Sequence, residues 1–425
     1  MTEQTKHSAA IVMALLTATA GSQLHAAGFS LYETSAKGNA MGGATIGKTD
    51  DASAVYANPA NMTDLPGVQT MVGITFIEPL GTIRTPSGKT SLEPDWFPPP
   101  HAYATWRVDD DWALGMGVYS EFGLGTKYKE SWPGRYNAIE TTLETLTLNP
   151  SVAYKVTDKL SVAAGFRAMY LDFYSKKAVP TPARGVPLYG STLGTTELNG
   201  DSWGYGYNAA VSYKITDDLD FGLVYRSRVK QAVEGEIDYD STARVPPYPY
   251  PGPPPNNTAD AKADLTLPSS VSGGLNYQLT DKLNLGTAVT WTEWSTYDAL
   301  NIDFNKAILP GVTQSHTEKD WSDVWRFGLG ADYALTENWS LQSGYVYDMC
   351  PISKEHADFM LPAGDRHIVG LGVGYRWHTW SVNLSYNYLM MVDNSKTVDI
   401  AGTPTRVHFE NGRAHMAGLS LAKVF

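Results

Sequence analysis

The sequence predicts an all-β fold, a transmembrane antiparallel β-barrel of about 14 strands plugged by a small N-terminal hatch. Three observations support this prediction. Apolar and polar residues alternate through most of the chain, a short polar turn recurs, and tryptophans stand beside those turns. With 425 residues the chain is long enough for one large barrel, or for about two or three ordinary domains.

Composition narrows the classes of function. The formal net charge of −12 argues against nucleic acid as a partner, because the phosphate backbone requires clustered Lys and Arg. The mean hydropathy of −0.25, with no run of roughly eighteen apolar residues after the N-terminus, argues against a helical membrane protein. The single cysteine, Cys350, excludes an internal disulfide framework, and its neighbours offer no groups that would activate it as a nucleophile.

Residues 1–26 are predicted to be a secretory signal peptide. Lys6 and His7 precede the apolar run from Ala9 to Leu16, and small residues then continue to Ala26. Cleavage after Ala26 would leave an exported mature chain. The alternative is a buried helix in a cytoplasmic protein.

Residues 27–68 are predicted to form the hatch. The stretch from Ala27 to Leu65 has no sustained alternation, so it is a poor strand, and its glycines interrupt any long helix. Pro59 has a fixed φ and no amide hydrogen, so it ends a helix or sets a turn. Such a segment of small side chains cannot build its own core, and we expect it to pack inside the barrel. The alternative, a disordered tail, does not suit its apolar residues.

Residues 69–425 are predicted to form the barrel. Apolar residues hold alternate positions in 283–291, 369–375 and 382–388, with polar or small residues between them. This pattern gives each strand one apolar and one polar face. A soluble β-sandwich would show the same alternation, so the turns and the aromatic residues decide between the two folds.

A short turn recurs along this region. It appears as Thr157-Asp158-Lys159, Thr216-Asp217-Asp218, Thr280-Asp281-Lys282 and Thr336-Glu337-Asn338, and in looser form at 109–111 and 378–379. Longer connections lie between successive turns, as in outer-membrane barrels. Six turns and the C-terminus give seven strand-pair ends, and hence about 14 strands.

Aromatic residues mark the expected membrane interface. Tryptophans flank the short turns, where an interfacial girdle is expected, at Trp106, Trp112, Trp339, Trp377 and Trp380. The last strand ends on Phe425, and such a terminal aromatic resembles the signal read by the outer-membrane insertion machinery. We therefore expect a multi-pass bacterial outer-membrane protein in contact with membrane lipid and lipopolysaccharide.

One stretch matches a catalytic motif. Gly200-Asp201-Ser202-Trp203-Gly204 fits the GxSxG pattern of hydrolases, which requires a strand–turn–helix context. Here the stretch opens a strand, so no catalytic residue and no enzyme is predicted. The sequence also lacks an HExxH, a paired CxxC and an EF-hand loop, so no metal or cofactor is predicted. An esterase using Ser202 and a diffusion porin remain as rival hypotheses.

Several stretches resemble one known family, in order along the chain. The run from Gly28 to Leu31, the Asp50-Asp51-Ala52 step and the Asn58-Pro59-Ala60 triplet resemble the N-terminal hatch of the FadL-type long-chain fatty acid transporters of bacterial outer membranes. Further blocks similar to that family lie at Phe122 to Tyr128, Trp132 to Tyr136, Leu267 to Val271, Trp291 to Ser295, Tyr347 to Pro351 and Leu361 to Arg366. The ordered set covers nearly the whole mature chain.

The resemblance implies uptake of long-chain fatty acids or related hydrophobic compounds. The implied route is capture in an external groove, movement of the hatch, and lateral exit through the wall at a kinked third strand, with both termini in the periplasm. That strand is expected at Trp112 to Glu121, with Gly115 and Gly117 as kink sites. Phe29 and the Asn58-Pro59-Ala60 triplet are expected to act as hatch and gate, with Asn58 bonding to the backbone at the kink. Family members that admit monoaromatic hydrocarbons leave a second substrate class open.

An anionic headgroup cannot be left unpaired in an apolar pocket, so a lumen arginine is predicted to bind it. Strand parity places Arg167, Arg226, Arg228 and Arg326 among the candidates, with Arg167 the first choice because its strand leads to the outer loops. Phe122, in the block similar to the family, is a further candidate for substrate contact. The alternative is that these arginines only hold the plug, by pairing with lumen or hatch carboxylates such as Asp332, Asp50 and Asp51.

Overall fold

The computed structural model describes residues 28–180, 192–241, 256–309, 311–362, 364–400 and 402–425. The predicted signal peptide and Ala27 lie outside these residues. The described part contains two short helices, α1 (Ala36–Ala40) and α2 (Ala54–Ala57), and two 3-10 helices, Pro59–Asp64 and Trp294–Thr296. None of its helices is long and apolar enough to cross a membrane.

The strands form one sheet. Their bounds are β1 Val68–Thr85, β2 Gly88–Ser91, β3 Pro100–Arg107, β4 Trp112–Tyr119, β5 Gly123–Lys127, β6 Glu140–Lys155, β7 Leu160–Pro180, β8 Thr192–Lys214, β9 Leu219–Arg226, β10 Val229–Ser241, β11 Asn257–Leu267, β12 Ser270–Thr280, β13 Leu283–Thr292, β14 Ala299–Phe304, β15 Gln314–Glu318, β16 Val324–Ala334, β17 Trp339–Asp348, β18 Arg366–Trp377, β19 Trp380–Met391, β20 Asn394–Ile400 and β21 Thr403–Val424. All their pairings are antiparallel, and β1 pairs with β21 to close the sheet into a barrel.

The wall of the barrel has 14 strands, as predicted. Three of them are interrupted and consist of two segments each, namely β4 with β5, β9 with β10, and β11 with β12. Four short strands, β2, β14, β15 and β20, only extend hairpins at one end. The other eleven wall strands consist of one segment each and are β1, β3, β6, β7, β8, β13, β16, β17, β18, β19 and β21.

The six predicted short turns lie on one rim. Backbone hydrogen bonds connect each hairpin end to the next around this rim, from Arg107 N to Gly67 O, Lys155 N to Asp111 O, Lys214 N to Lys159 O, Gln278 N to Asp218 O, Ala334 N to Lys282 O, Arg376 N to Asn338 O, Val424 N to Thr379 O and Phe425 N to Val68 O. The first and last strands therefore end on the same rim as every short turn.

The barrel is apolar outside and polar inside. Leu371 is 59% exposed and Leu384 is 50% exposed on the outer face, whereas Asn149 and Gln342 are buried on the inner face. Trp106, Trp112, Trp339 and Trp380 are exposed beside the short turns. This distribution matches a membrane-spanning barrel and excludes the sandwich, whose apolar faces would be covered.

Residues 28–65, here called the hatch, pack against the inner face of the wall strands. Helix α1 contacts β17, β18 and β19, while the 3-10 helix Pro59–Asp64 contacts β4, β6, β7 and β8 across the lumen. Gly42 and Gly43 follow α1 with positive φ angles of 64° and 75°, which ends the helix after five residues. Inner-wall glycines leave room for this segment, since a Cβ at Gly286 or Gly328 would overlap hatch carbonyl oxygens.

An ion-pair network fixes the hatch to the wall. Lys37 Nζ lies 2.9 Å from a carboxylate oxygen of Asp50 and 2.9 Å from one of Asp332 on β16. Burial opposes the charged ammonium, but the two carboxylates still raise the pKa of Lys37 above its ordinary value. These acids therefore pair with a hatch lysine rather than with the lumen arginines.

Candidate functional site

The third strand of the wall is interrupted between β4 and β5. β4 pairs with both β3 and β6, but β5 pairs only with β6. Residues 120–122, here called the strand break, are bonded instead by the Thr145 hydroxyl of β6, at Phe122, and by the start of the hatch. Leu31 N donates to Glu121 O at 2.8 Å, and Gly123 N donates to Phe29 O at 2.9 Å. The hatch thus completes the hydrogen bonding of the wall at this point.

The prediction that Gly115 and Gly117 form the kink is wrong. Both glycines are in regular register with β3 and β6, and the break lies three residues or more beyond them. Because Gly115 and Gly117 have no side chain, the hatch can pack closely against β4. A Cβ at Gly115 would overlap the Met62 sulfur and lie 2.8 Å from Val55 Cγ2, so the glycines admit the hatch against the wall.

The break lies at the border of the apolar outer band. On the neighbouring strands the outward positions change there from apolar Leu146 and Tyr170 to acidic Glu144 and Asp172. Between this level and the short-turn rim the outer face carries apolar residues, for example Phe166 at 50% exposure. An opening at the break would therefore face membrane lipid on one side.

A cavity of about 480 Å³ lies against the break. Its lining is mainly apolar, and the volume falls within the roughly 300–1,000 Å³ of small-molecule sites. Inner-face residues such as Leu143 line it, but so do the outward-facing Leu146 and Tyr170. We call it the apolar cavity. Its lining therefore includes both faces of the barrel wall.

The first residues of the hatch form one side of the apolar cavity. Phe29 is buried in a cluster of aromatic rings, with centroids 4.7 Å from Trp294, 5.8 Å from Trp321 and 6.0 Å from Phe122. Phe122 also faces Ser30 across an isolated antiparallel bridge. Phe29 and Phe122, both predicted as functional, thus meet at the break.

Arg167 is a buried ion-pair partner of the break. Its Nε donates to Glu121 Oε1 at 2.9 Å, its Nη2 donates to Glu121 Oε2, and its Nη1 donates to Ser227 O at 2.9 Å. Both ionised side chains are over nine-tenths buried. Each of the three guanidinium nitrogens donates a hydrogen bond, so the geometry matches the alternative in which the arginine pairs with a carboxylate. The partner is Glu121 rather than Asp50, Asp51 or Asp332.

Arg226 and Arg326 have no carboxylate within 4 Å in the described chain. Arg226 Nη2 donates to Tyr56 O, and its guanidinium carbon lies 4.3 Å from the centre of the Tyr56 ring. Arg326 stacks on Tyr32 at 4.0 Å, and its buried Nε has no hydrogen-bond partner. Asp348 interacts electrostatically with Arg326, and Glu121 interacts electrostatically with Arg226, but both carboxylates lie beyond ion-pair distance.

Arg167, Arg226 and Arg326 line a second cavity of about 60 Å³, here called the arginine cavity. Strand parity had nominated these three arginines, and the structure places them around one cavity although they are far apart in sequence. The hydroxyl groups of Ser272 and Thr290 also line it, and they bond to each other at 2.9 Å. Ser30 to Tyr32 and Phe122 line both cavities and separate them.

Asn58 does not bond to the third strand, so that prediction is wrong. Its Nδ2 donates to Ile46 O at 3.0 Å and to Val211 O of β8 at 3.0 Å, and its Oδ1 accepts from Ala60 N. Asn58 therefore caps the 3-10 helix that Pro59 begins and links it to the hatch and to β8. Met62 and Val55 of the hatch pack against β4 at Gly115 instead.

Sequence reasoning missed Glu121 and Arg366 as parts of the site. Arg366 donates from Nη2 to Gly28 O at 3.0 Å, and its Nη1 lies 3.9 Å from Asp348 Oδ2. It thereby holds the start of the hatch beside the apolar cavity. A charged residue inside an otherwise apolar or glycine-rich block, as at Glu121 before Phe122, was the available signal.

Ser202 lies within strand β8, not on a strand-to-helix turn. Its hydroxyl donates to Gln231 Oε1 at 2.9 Å on β10. The strand–turn–helix context of a hydrolase nucleophile is therefore not present around this serine.

Fold and site define a class of protein: a plugged outer-membrane barrel with an apolar cavity at an interrupted wall strand. The profile of the family described as "Outer membrane protein transport protein (OMPP1/FadL/TodX)" matches residues 17–425. The chain belongs to this family of outer-membrane transport proteins, as the resemblance in sequence implied.

Known proteins are similar to this chain over most of its length. The long-chain fatty acid transport protein of Escherichia coli K12 is 28% identical over 461 residues, covering 99% of this chain and 98% of that protein. Outer membrane protein P1 of Haemophilus influenzae is 29% identical over 429 residues, covering 89% of each. Among solved structures, a Pseudomonas aeruginosa FadL homologue superposes with a TM-score of 0.82 at 21% identity, covering 94% of this chain and 100% of that one. The Pseudomonas putida toluene transporter TodX gives 0.70 at 16%, covering 92% and 99%.

Proposed function

We propose that this protein takes up long-chain fatty acids or closely related hydrophobic compounds across the outer membrane. The observation that carries the proposal is the apolar cavity at the strand break, whose lining includes both faces of the wall. An apolar molecule in this cavity lies between the barrel interior and the surrounding lipid. The similarity to proteins named as long-chain fatty acid transporters supports the acyl-chain class.

The route begins outside the barrel. A smaller apolar groove, lined by Leu124, Leu143 and Phe29 among others, shares these three residues with the apolar cavity. A substrate captured there reaches the apolar cavity by crossing shared side chains, without passing through water. Burial of a sixteen-carbon chain gains about 12 kcal/mol gross, at roughly 0.8 kcal/mol per CH₂. Release therefore requires the cavity to change.

Movement of the hatch supplies that change. Leu31 makes a backbone hydrogen bond to Glu121 of the strand break and Phe29 makes one to Gly123 at the start of β5, and their removal would open the wall beside β5. The net contribution of a hydrogen bond is about 0.5–1.5 kcal/mol, so substrate burial is large enough to offset the loss of both. The substrate then leaves sideways into the membrane. The rim that carries the short turns, where β1 begins and β21 ends, faces the periplasm.

The protein is further proposed to have no enzymatic activity and to contact the lipids that surround the barrel. It acts as a transporter, not as an esterase at Ser202 or an open porin. The arrangement of its exposed aromatic and apolar residues suits contact with outer-membrane lipid and lipopolysaccharide, and Phe425 serves insertion of the barrel. No cofactor enters the mechanism.

The test is uptake of radiolabelled long-chain fatty acid by cells that lack their own transporter and carry this gene. Uptake well above that of cells with an empty vector supports the proposal. Uptake of toluene but not of fatty acid would assign the monoaromatic class instead. Passage of small polar solutes alone would indicate a porin, and ester hydrolysis abolished by Ser202→Ala would indicate an enzyme. Mass spectrometry of co-purifying ligands gives an independent identification.

A further inference from the structure

The second wall strand is irregular beside the strand break. β3 pairs with β1 only as far as Ile74 of β1, and residues 92–99, here called the strap, continue the wall beyond that point. Four backbone hydrogen bonds attach the strap to β1, namely Thr75 N to Pro99 O at 3.2 Å, Ile77 N to Phe97 O and Phe97 N to Ile77 O at 2.9 Å each, and Leu92 N to Gly81 O at 3.0 Å. The strap is therefore part of the wall, although it forms no regular strand.

The strap is bonded much more weakly to β5, on its other side. Among the described residues one backbone hydrogen bond joins the two segments, from Glu93 N to Lys127 O at 2.8 Å. Pro94, Pro98 and Pro99 have no N–H to donate, so the strap cannot form a continuous ladder with β5. The line between the strap and β5, here called the seam, is therefore held by fewer hydrogen bonds than the contact of the strap with β1.

The ring of Phe97 fills the seam. A Cβ at Gly125 of β5 would overlap this ring, so the glycine allows the ring to lie against the backbone of β5. Phe97 and Gly125 both line the apolar cavity, together with Pro98 and Pro99 of the strap. A side-chain contact thus closes the wall beside the cavity at a place where backbone hydrogen bonds are few.

The neighbouring residue, Trp96, lies on the outer side of the strap. It is 53% exposed, and its ring lies edge-on to that of Phe76 on the outer face of β1, with centroids 6.4 Å apart. An exposed tryptophan on the outside of a membrane barrel suits contact with interfacial lipid. Because Phe97 contacts the cavity and Trp96 the outer surface, the strap separates the apolar cavity from the membrane at this point.

We propose that the seam is the lateral gate of the barrel wall, and that the Phe97 ring on Gly125 limits the width of the compounds that pass it. The inference rests on the proposed function and deepens it, because it names the part of the wall that separates once the hatch has left the strand break. The strap stays attached to β1, and the hydrogen bond from Glu93 to Lys127 breaks. A straight acyl chain passes when the Phe97 side chain turns aside, whereas a fused ring system is too wide for the space that one side chain leaves.

The first test locks the seam with a disulfide. Because Glu93 N bonds to Lys127 O, cysteines at these positions are close enough for a disulfide, whose Cα atoms lie about 4.4–6.8 Å apart. The variant Glu93→Cys/Lys127→Cys, with Cys350→Ser, should give no uptake of radiolabelled hexadecanoate when oxidised, and dithiothreitol should restore uptake in the same cells. Each single-cysteine variant should be insensitive to oxidation.

A disulfide on the other edge of the strap is the matched control. Leu92 N bonds to Gly81 O of β1, and a Cβ at Gly81 would lie in ordinary contact with the Leu92 side chain. The variant Gly81→Cys/Leu92→Cys, also with Cys350→Ser, fixes the strap to β1 and leaves the seam free. Its oxidised form should therefore take up hexadecanoate as well as its reduced form does.

The second test measures the width of the gate without any cross-link. Cells carrying Phe97→Ala are compared with wild type for uptake of hexadecanoate and of a decanoate with a pyrene ring at its end. The ratio of pyrene-labelled to hexadecanoate uptake should rise about tenfold or more in the variant, the scale on which a pocket discriminates by size. Phe166→Ala removes an exposed ring of the outer face of β7, outside the apolar cavity, and should leave the ratio unchanged.

The outcomes separate the inference from the proposed function. If wild type takes up no hexadecanoate, the proposed function itself fails. If wild type takes it up and the fully oxidised seam variant does so equally, the seam is not the gate, while uptake stands. Loss of uptake in both oxidised double-cysteine variants would also overturn the inference, because the strap would then have to leave β1. An unchanged ratio in Phe97→Ala would refute the role of its ring.

Discussion

The buried pair of Arg167 and Glu121 should hold the strand break in its closed form. Replacing Arg167 with Met removes the positive charge and keeps most of the apolar stem of the side chain. It leaves the Glu121 carboxylate buried without a counterion, and it also frees the Ser227 carbonyl. We expect loss of stability and a break that opens more readily.

The magnitude follows from burial. Arg167 is 1% exposed and Glu121 is 6% exposed, and removal of one partner of such a buried pair costs about 3–5 kcal/mol. The pair of Arg228 and Glu293 is the matched comparison, with exposures of 52% and 20%. Its bonds are similar in geometry, but water screens the charges of an exposed pair, so the pair contributes little. Arg228→Met should therefore change the free energy of unfolding several-fold less.

Urea unfolding of the barrel in detergent micelles, followed by tryptophan fluorescence, measures these differences. The double variant Arg167→Met/Glu121→Leu should recover most of the loss, because it leaves neither charge buried alone. The reasoning is refuted if Arg167→Met costs less than about 1 kcal/mol, or if the double variant loses the sum of the two single effects.

Three further predictions concern packing, capping and the outer loops. Gly115→Ala should destabilise the barrel by about 1–3 kcal/mol through overlap with the hatch, whereas Gly273→Ala, with 3.8 Å to its nearest neighbour, should be close to neutral in the same unfolding assay. Asn58→Ala should cost about 1–3 kcal/mol by removing its hydrogen bonds to the carbonyls of Ile46 and Val211, and faster proteolysis of the hatch would report it. Lys319→Met should lower the melting temperature by isolating the buried Asp358 carboxylate. Burial opposes the charge on Lys319, but Asp358 raises its pKa, so the stabilisation by Lys319 should persist from neutral pH to about pH 10.4 and be lost only as the pH rises through that raised pKa.

Elements with a repeating pattern could be predicted from the sequence. The six short turns predicted the number of strands, since each turn connects two antiparallel strands. The alternation of apolar and polar residues predicted which side chains face the lumen. The apolar outer face of β18 and the inward-facing Ser161 and Arg167 of β7 follow the predicted parity. These features are local, because the side chains of a strand alternate wherever its partner lies.

Features that depend on contacts between distant segments could not be predicted. The strand break lies at Ser120 to Phe122 because the hatch supplies its hydrogen bonds, whereas the glycines at 115 and 117 only indicated a need for space. Parity placed Arg167 inside the barrel but could not show that Glu121, forty-six residues earlier, is its partner. The identity of a buried ion pair is a property of the assembled lumen.

The central claim is that substrate crosses the wall at the strand break when the start of the hatch moves. Ser30 and Phe122 face each other across an antiparallel bridge. Opposed residues in such pairs have Cα atoms about 4.5–5.5 Å apart, within the roughly 4.4–6.8 Å that a disulfide spans. Cysteines at both positions, with Cys350 replaced by Ser, would lock the hatch to the break.

Uptake of radiolabelled hexadecanoate by cells carrying this variant tests the claim most directly. The oxidised protein should give no uptake above that of cells without the gene, and reduction with dithiothreitol should restore it in the same cells. Each single-cysteine variant controls for loss of the native side chain and should be insensitive to oxidation. Equal uptake by the fully oxidised and the reduced double-cysteine protein would contradict the account.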